Sequence, residues 1–314
     1  MSLVTVEQWP LPQRIDYRPQ LEAGNILFFP ATPFPLSDQA KEFLRNLSFA
    51  GGAIHKNIAY RTALDRITGM DADASLKNRL RDIFRDYSRS VIRFTSELLP
   101  EYARDWTLDY ASFRPIEEEG RGLPTNKRND LIHTDAFPSR PTNGALILRV
   151  FTNISPAKTR IWITSDPFRA VAGRFAHDAG LDRIAAGGSS AAGQILNQSA
   201  RLLHTLGLPV VPRSPYDRFM LRFHDYLKHN TGFQANCTKH RFEFPPGSTW
   251  LVFTDVVPHS VQAGQHALEQ TFIVARRSLA NPEDSPLSIL EQLCAKPLLP
   301  GRSHPAHTAT TAQQ

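Results

Sequence analysis

Apolar positions along the chain follow one period before residue 121 and another after it. In the first regime the clearest run is Leu80, Ile83, Phe84, Tyr87, Val91, Phe94 and Leu98, mostly three or four residues apart. That spacing puts them on one face of a helix, predicted from Ser75 to Pro100. Residues 1–20 read as irregular, Asn25–Phe29 as a buried strand, and Ser37 as the cap of a helix to about Leu47. Lys56–Arg61 reads as a loop or short strand. In the second regime short apolar runs alternate with turn residues, giving strands at 144–154, 160–164, 242–244, 249–254, 258–262 and 268–275. This is the rhythm of an antiparallel sandwich or barrel. Residues 165–213 break it with helices at 170–180 and 193–206 around Gly187-Gly188-Ser189-Ser190, an insertion placed to act as a lid. Ser285-Pro286 opens a last helix within 283–300, with proline at the first helical position. The small polar residues 301–314 are expected to be disordered. The expected organisation is a mainly helical region, 1–120, packed on a β core, 121–282, that carries the insertion.

Composition narrows the class. The chain has 314 residues, 41% of them apolar, enough for one large domain or two small ones. No apolar run reaches the roughly 18 residues of a membrane span, and no early stretch reads as a signal peptide. The expected location is therefore cytoplasmic. Two cysteines, Cys237 and Cys294, make neither a disulfide framework nor a zinc site. A net charge of +6 points to an anionic partner: nucleic acid, acidic lipid, or a phosphorylated or carboxylated substrate. Lys77, Arg81, Arg85, Arg89 and Arg93 form a stripe along the long helix. It reads as a solvated face partly neutralised by Asp82 and Asp86, or as a surface for phosphates or acidic headgroups. No RNA-binding or zinc-finger pattern supports nucleic acid.

The chemistry centres on His133-Thr134-Asp135. On an extended backbone, side chains two apart point the same way, so an imidazole and a carboxylate reach one point. His259 supplies a third ligand. Two His and one carboxylate with open positions form the facial triad of non-haem Fe(II) oxygenases. Other His residues compete less well. His224 and Asp225 are adjacent and diverge on any regular backbone, His240 and Glu243 sit in a strand pattern, and His204 lies on an amphipathic helix. Neither cysteine has a neighbouring base, and no glycine-rich phosphate loop occurs.

Several stretches, in order, resemble the Kdo 3-hydroxylases, enzymes of the lipopolysaccharide sugar acid 3-deoxy-D-manno-oct-2-ulosonic acid. They are Ile132–Ser139, Leu148–Ile154, Pro246–Trp250, Phe253-Thr254-Asp255 leading to His259, Glu269–Phe272 and Ser285-Pro286-Leu287. The likeness runs from about Leu21 to Leu299. It implies an α+β chain with a double-stranded β-helix (jelly-roll, cupin-like) core and flanking helices. It also implies an Fe(II)- and 2-oxoglutarate-dependent dioxygenase that uses O₂ to hydroxylate carbon 3 of Kdo on Kdo-lipid A, giving Ko. The iron ligands would be His133, Asp135 and His259. The partner would be a lipopolysaccharide precursor met at the inner face of the inner membrane, through peripheral contact with the anionic surface.

The far carboxylate of 2-oxoglutarate needs a cation, best a bidentate arginine. Many relatives on this fold place it on the last strand, where this chain has Glu269. The candidates here are Arg149, on the strand after the His-x-Asp, and Arg276, at the end of the last strand. Three other readings stay open: an oxygenase for another anionic substrate, a cupin-like metal or sugar-acid binding protein without turnover, and a nucleic-acid binder using the basic helix.

Overall fold

The structure, a computed structural model, describes residues 1–47, 54–120, 122–189 and 211–300. Its N-terminal elements are β1 (Leu3–Thr5), α1 (Arg18–Glu22), β2 (Ile26–Phe29), α2 (Asp38–Arg45), β3 (Ile54–Arg61), β4 (Arg66–Met70), α3 (Ala74–Leu98), α4 (Pro100–Ala103) and β5 (Trp106–Arg114). Then come β6 (Leu146–Asn153), β7 (Arg160–Thr164), α5 (Phe168–Phe175), α6 (Leu181–Ser189), α7 (Pro215–His229) and α8 (Thr231–Asn236). The chain closes with β8 (His240–Phe244), β9 (Thr249–Phe253), β10 (His259–Ala263), β11 (Ala267–Val274) and α9 (Pro286–Cys294).

Eight strands form one sheet in the order β1-β2-β9-β6-β11-β5-β3-β4, and β10-β7-β8 form a second. All pairings are antiparallel except that of β1 with β2. Alternation along the strands gives the large sheet two different faces. One face packs on the small sheet: Phe151, Trp250 and Val252 meet Trp162, Phe244 and Val261. The other receives α3, whose Leu80, Phe84, Tyr87, Val91, Phe94 and Leu98 join Phe113, Leu148, Val150 and Phe272. Each such side chain contributes about 1.5–3 kcal/mol on burial. A one-residue slip of β6 would send Leu148 and Val150 to the wrong face, so packing fixes the register. The two facing sheets form the jelly-roll core of an α+β chain.

A third apolar cluster joins Phe168 and Val171 of α5, Phe219 and Phe223 of α7 and Leu290 of α9 around Ile132. It anchors the chain just before His133. Local sequence explains these helices. Ser214 caps α7 by accepting from the Asp217 N–H (3.1 Å), with Pro215 in the first turn, and Ser285 caps α9 in the same way. Asp73 caps α3, so that helix starts one residue before Ser75.

The N-terminal 120 residues, expected to be mainly helical, also supply five strands of the large sheet. Helical structure between β7 and β8 runs on through α7 and α8, beyond the expected limit at 213. The helix expected at 193–206, His204 on it, and the tail 301–314 lie outside the described residues.

Candidate metal centre

His133 and His259 are brought together by backbone. They face each other in an isolated antiparallel bridge, each N–H donating to the other's carbonyl at 3.0 and 2.9 Å. The Asp135 N–H donates to the Thr254 carbonyl (2.9 Å), which ties the other end of the motif to the end of β9. One ligand atom each from His133, Asp135 and His259 then lies within 4.8 Å of the others.

The ring orientations suit metal binding. The Nδ1 atoms of His133 and His259 lie 2.7 and 2.8 Å from the Leu131 and Val257 carbonyls. Only a protonated Nδ1 can donate there, which leaves Nε2 as the free lone pair. Burial holds the His133 pKa well below its usual value, helped by the neighbouring His259, His224 and Lys228. Burial lowers His259 as well, against the opposing charge of Asp135. Both imidazoles are therefore neutral, the ligating form. Burial alone would raise Asp135, but the Arg149 guanidinium, with the Thr254 hydroxyl, outweighs it and holds the carboxyl below the carboxylate range. Arg149 Nη2 is 3.3 Å from Asp135 Oδ2 but off the hydrogen-bonding direction, and Oδ2 has no hydrogen-bond partner. Two neutral imidazoles and a buried carboxylate with an open lone pair fit a ferrous ion.

Of the two arginines expected to anchor a cosubstrate, the structure brings only Arg149 to this centre. Arg149 is buried on β6 between Asp135 and Glu269, with Nη1 3.4 Å from Glu269. Arg276 is placed elsewhere. β11 ends at Val274, and Arg276 lies in the 3₁₀ turn Arg276–Ser278. Its guanidinium donates to the Pro282 carbonyl and to Ser285 and Ser288, at the start of α9.

Several groups around the centre escaped the sequence reading. β7 runs antiparallel beside β10, with Thr164 opposite His259. Arg160, Trp162 and Thr164 are all buried in one file. Trp162 stacks on His259, centroids 4.8 Å apart. The Trp162 Nε1, Thr164 Oγ1, Arg160 Nε and Arg160 Nη2 atoms have no hydrogen-bond partner. Arg160 Nη1 donates to the Gly264 carbonyl (3.0 Å), and Glu118 lies 3.6 Å from Nη2. Gly264 must be glycine: its φ is +117°, and a Cβ would come within 2.8 Å of the Arg160 backbone. Burial and the nearby Arg114 push the Arg160 pKa down to about 10. Arg114 is itself bound to Glu269 by two hydrogen bonds, 2.9 and 2.6 Å. The alternation Arg160-x-Trp162-x-Thr164 was the available signal, since a charged residue in register with buried aromatics faces inward.

On the α7 side, His224 packs edge-on against His133 at 4.7 Å, and its Nδ1 is 2.7 Å from the Thr134 carbonyl. Lys228, one turn on, is buried and donates to the Asn126 carbonyl at 3.2 Å. His224 is outside the three-ligand cluster but touches it.

A profile of the 3-deoxy-D-manno-oct-2-ulosonic acid (Kdo) hydroxylases matches residues 10–297. The chain belongs to the Kdo hydroxylase family. Among solved structures it is similar to the Kdo hydroxylase KdoO, described as a non-heme Fe(II) alphaketoglutarate dependent dioxygenase. With the complex containing alphaketoglutarate and Fe(III), identity is 32% over 98% of this chain and 100% of that one, at a TM-score of 0.81. With the cobalt(II) complex it is 33% over 97% and 99%, also at 0.81. With the succinate and Fe(III) complex it is 32% over 97% and 99%, at 0.80. Among curated protein sequences no match is found.

Proposed function

We propose that this Kdo hydroxylase is an Fe(II)- and 2-oxoglutarate-dependent dioxygenase that hydroxylates carbon 3 of Kdo carried on lipid A. The observation that carries the reading is the convergence of His133, Asp135 and His259 beside a buried file of unpartnered donors. His133, Asp135 and His259 are the iron ligands in this reading. When bound, iron and 2-oxoglutarate supply the oxidant: one oxygen atom of O₂ enters a C–H bond, the other ends in succinate, and CO₂ leaves.

The chain's own residues hold and orient. The Leu131 and Val257 carbonyls fix the two imidazoles, and Arg149 holds Asp135 ionised. We assign the far carboxylate of 2-oxoglutarate to Arg160. Arg160 shares the inward file of β7 with Thr164, which stands opposite His259, and with Trp162, which stacks on His259. Trp162 lies between Thr164 and Arg160 in that file and is itself buried. Arg149 is already shared by two carboxylates, which leaves it less able to serve.

The lipid-linked acceptor implies work at an anionic membrane surface, at the cytoplasmic face. Among the described residues no helix is long and apolar enough to cross a membrane. Exposed Arg89 and Arg93 of α3 support surface contact, whereas Arg81 and Arg85 are engaged by Asp65 and Asp82. The test is anaerobic reconstitution with Fe(II), then addition of 2-oxoglutarate, O₂ and Kdo-lipid A. Mass spectrometry should find one added oxygen on the sugar with one succinate formed per turnover. Succinate without oxidised lipid would point to another acceptor, and no succinate with any acceptor would favour a binding protein.

A further inference from the structure

The reacting carbon of Kdo lies two bonds from the sugar's carboxylate, so a group that anchors this carboxylate must stand beside the metal centre. A groove of about 370 Å³ opens there, lined by Thr107, Asp109, Arg140, Thr142, Ala145 and Ile273. Thr142 also lines the narrow cleft that reaches Asp135, Phe137 and Asp255. Thr142 is thus common to the groove and to the cleft that reaches Asp135.

Arg140 is the cation lining that groove, and it is held in place. Its Nε donates to Asp109 Oδ2 at 2.9 Å, and Asp109 is only 8% exposed. Its guanidinium lies 4.1 Å from the ring centroid of Tyr110 and 4.4 Å from that of Phe137. Arg149 packs on the same Phe137 ring at 5.4 Å, so one aromatic side chain links Arg140 to the group that holds Asp135. An irregularity in the pairing of β5 with β11 falls at Asp109 and Tyr110, opposite Thr271. Such bulges re-aim side chains, and here Asp109 lines the groove while the Tyr110 ring packs on Arg140. Because Asp109 takes only Nε, the two terminal nitrogens keep their donors. Among the described residues neither has a protein acceptor. A fixed guanidinium whose two terminal nitrogens keep their donors suits two-pronged carboxylate binding.

We propose that Arg140 is the specificity residue that binds the carboxylate of the sugar acid, with this groove receiving the sugar ring. The inference rests on Kdo-lipid A being the acceptor. The experiment compares that lipid with the same lipid carrying the sugar carboxyl as its methyl ester. The lipid phosphates are identical in both, so the comparison isolates the carboxylate.

With Fe(II)-loaded full-length enzyme, the wild type should show a KM at least tenfold lower for the acid than for the ester. Arg140→Gln should raise the KM for the acid at least tenfold and bring the acid-to-ester ratio near one. The KM for 2-oxoglutarate and the binding of Co(II) should not change. Arg140→Lys keeps a cation beside Asp109 but loses the fork, and should cut the acid preference at least threefold. It carries the test if Arg140→Gln no longer binds Co(II). Full acid preference in either folded variant overturns the assignment, as does a raised KM with unchanged preference, which would indicate a lipid phosphate. A wild-type enzyme that oxidises neither lipid overturns the acceptor assignment, and this inference with it.

Discussion

Replacing Arg160 with Met separates a cosubstrate anchor from a structural arginine. In the folded protein Arg160 has one neutral acceptor, the Gly264 carbonyl, and one carboxylate beyond hydrogen-bonding distance. Its pKa falls from the usual arginine range to about 10, by burial and the nearby Arg114. At 1.36 kcal/mol per unit, keeping it charged costs the native state about 3 kcal/mol. The sign is that of a depressed base. The deficit persists at all pH values where the guanidinium is charged, and is relieved only as pH rises through about 10, so stability at pH 7–8 is flat in this group. Removing the charge gains back about 3 kcal/mol, while Glu118 loses a partner but keeps the Asn129 amide. The net effect on the metal-free protein should be within about 1 kcal/mol, against the 3–5 kcal/mol typical of breaking a well-made buried pair. Binding of 2-oxoglutarate should instead weaken by about 2–5 kcal/mol, roughly thirtyfold or more, because its far carboxylate enters a buried site unpaired. Urea unfolding of the apoprotein and titration of the Co(II)-loaded protein measure the two effects. Pyruvate, which lacks the far carboxylate, should bind wild type and variant equally. Retained 2-oxoglutarate affinity, or an equal loss for pyruvate, would refute the reasoning.

Ala at His133, Asp135 or His259 should abolish Co(II) binding, read from its visible spectrum. His224→Ala should retain it with affinity reduced about tenfold, since it removes only a ring packed on a ligand. Asp255 is buried, with its pKa pushed up to about 7 by burial and by the charge of Asp135. A raised acid stabilises below its unfolded pKa and loses that contribution as pH climbs toward 7. Asp255→Asn should therefore match wild-type stability at pH 4 and exceed it by up to about 4 kcal/mol at pH 8, measured by unfolding of the apoprotein. Reversing exposed Arg89 and Arg93 to Glu should weaken binding to anionic vesicles by about 1 kcal/mol per residue or more at low salt. Sedimentation with vesicles measures this, and unchanged binding would remove α3 from membrane contact.

Much of the fold was legible because it rests on periodicity. The stripe from Leu80 to Leu98 reports one buried helix face, the alternation of β7 one buried strand face, and the short apolar runs at β6, β9 and β11 strands buried on both faces. β5 was missed because Asp109 and Tyr110 break its alternation at the bulge, whereas α7 carries a readable start signal in Ser214-Pro215. The His-x-Asp pair was legible because its two ligand-type residues stand two apart in sequence, while the His133–His259 bridge that brings the third residue to it is a tertiary pairing no spacing encodes. Arg276 misled for a related reason. It continues the last strand in sequence, but the chain turns one residue earlier.

The position of Glu269 follows from charge balance. Three guanidiniums, Arg114, Arg149 and Arg160, and three carboxylates, Glu118, Asp135 and Glu269, form one group of ion pairs beside the centre, each member buried or nearly so. With the imidazoles neutral, these six charges cancel. Fe(II) and the 2-oxoglutarate dianion also cancel, so the pair enters a low-dielectric core without leaving net charge, whereas either alone would leave two. Glu269 engages Arg114 and Arg149 and thereby leaves Arg160, across the core on the facing sheet, as the one underpaired cation of the three. An arginine at position 269 would make the cage positive and set the anchor on the large sheet. With glutamate there, the underpaired cation stands on β7, where the depressed pKa and the open donors of Arg160 support the anchor we propose.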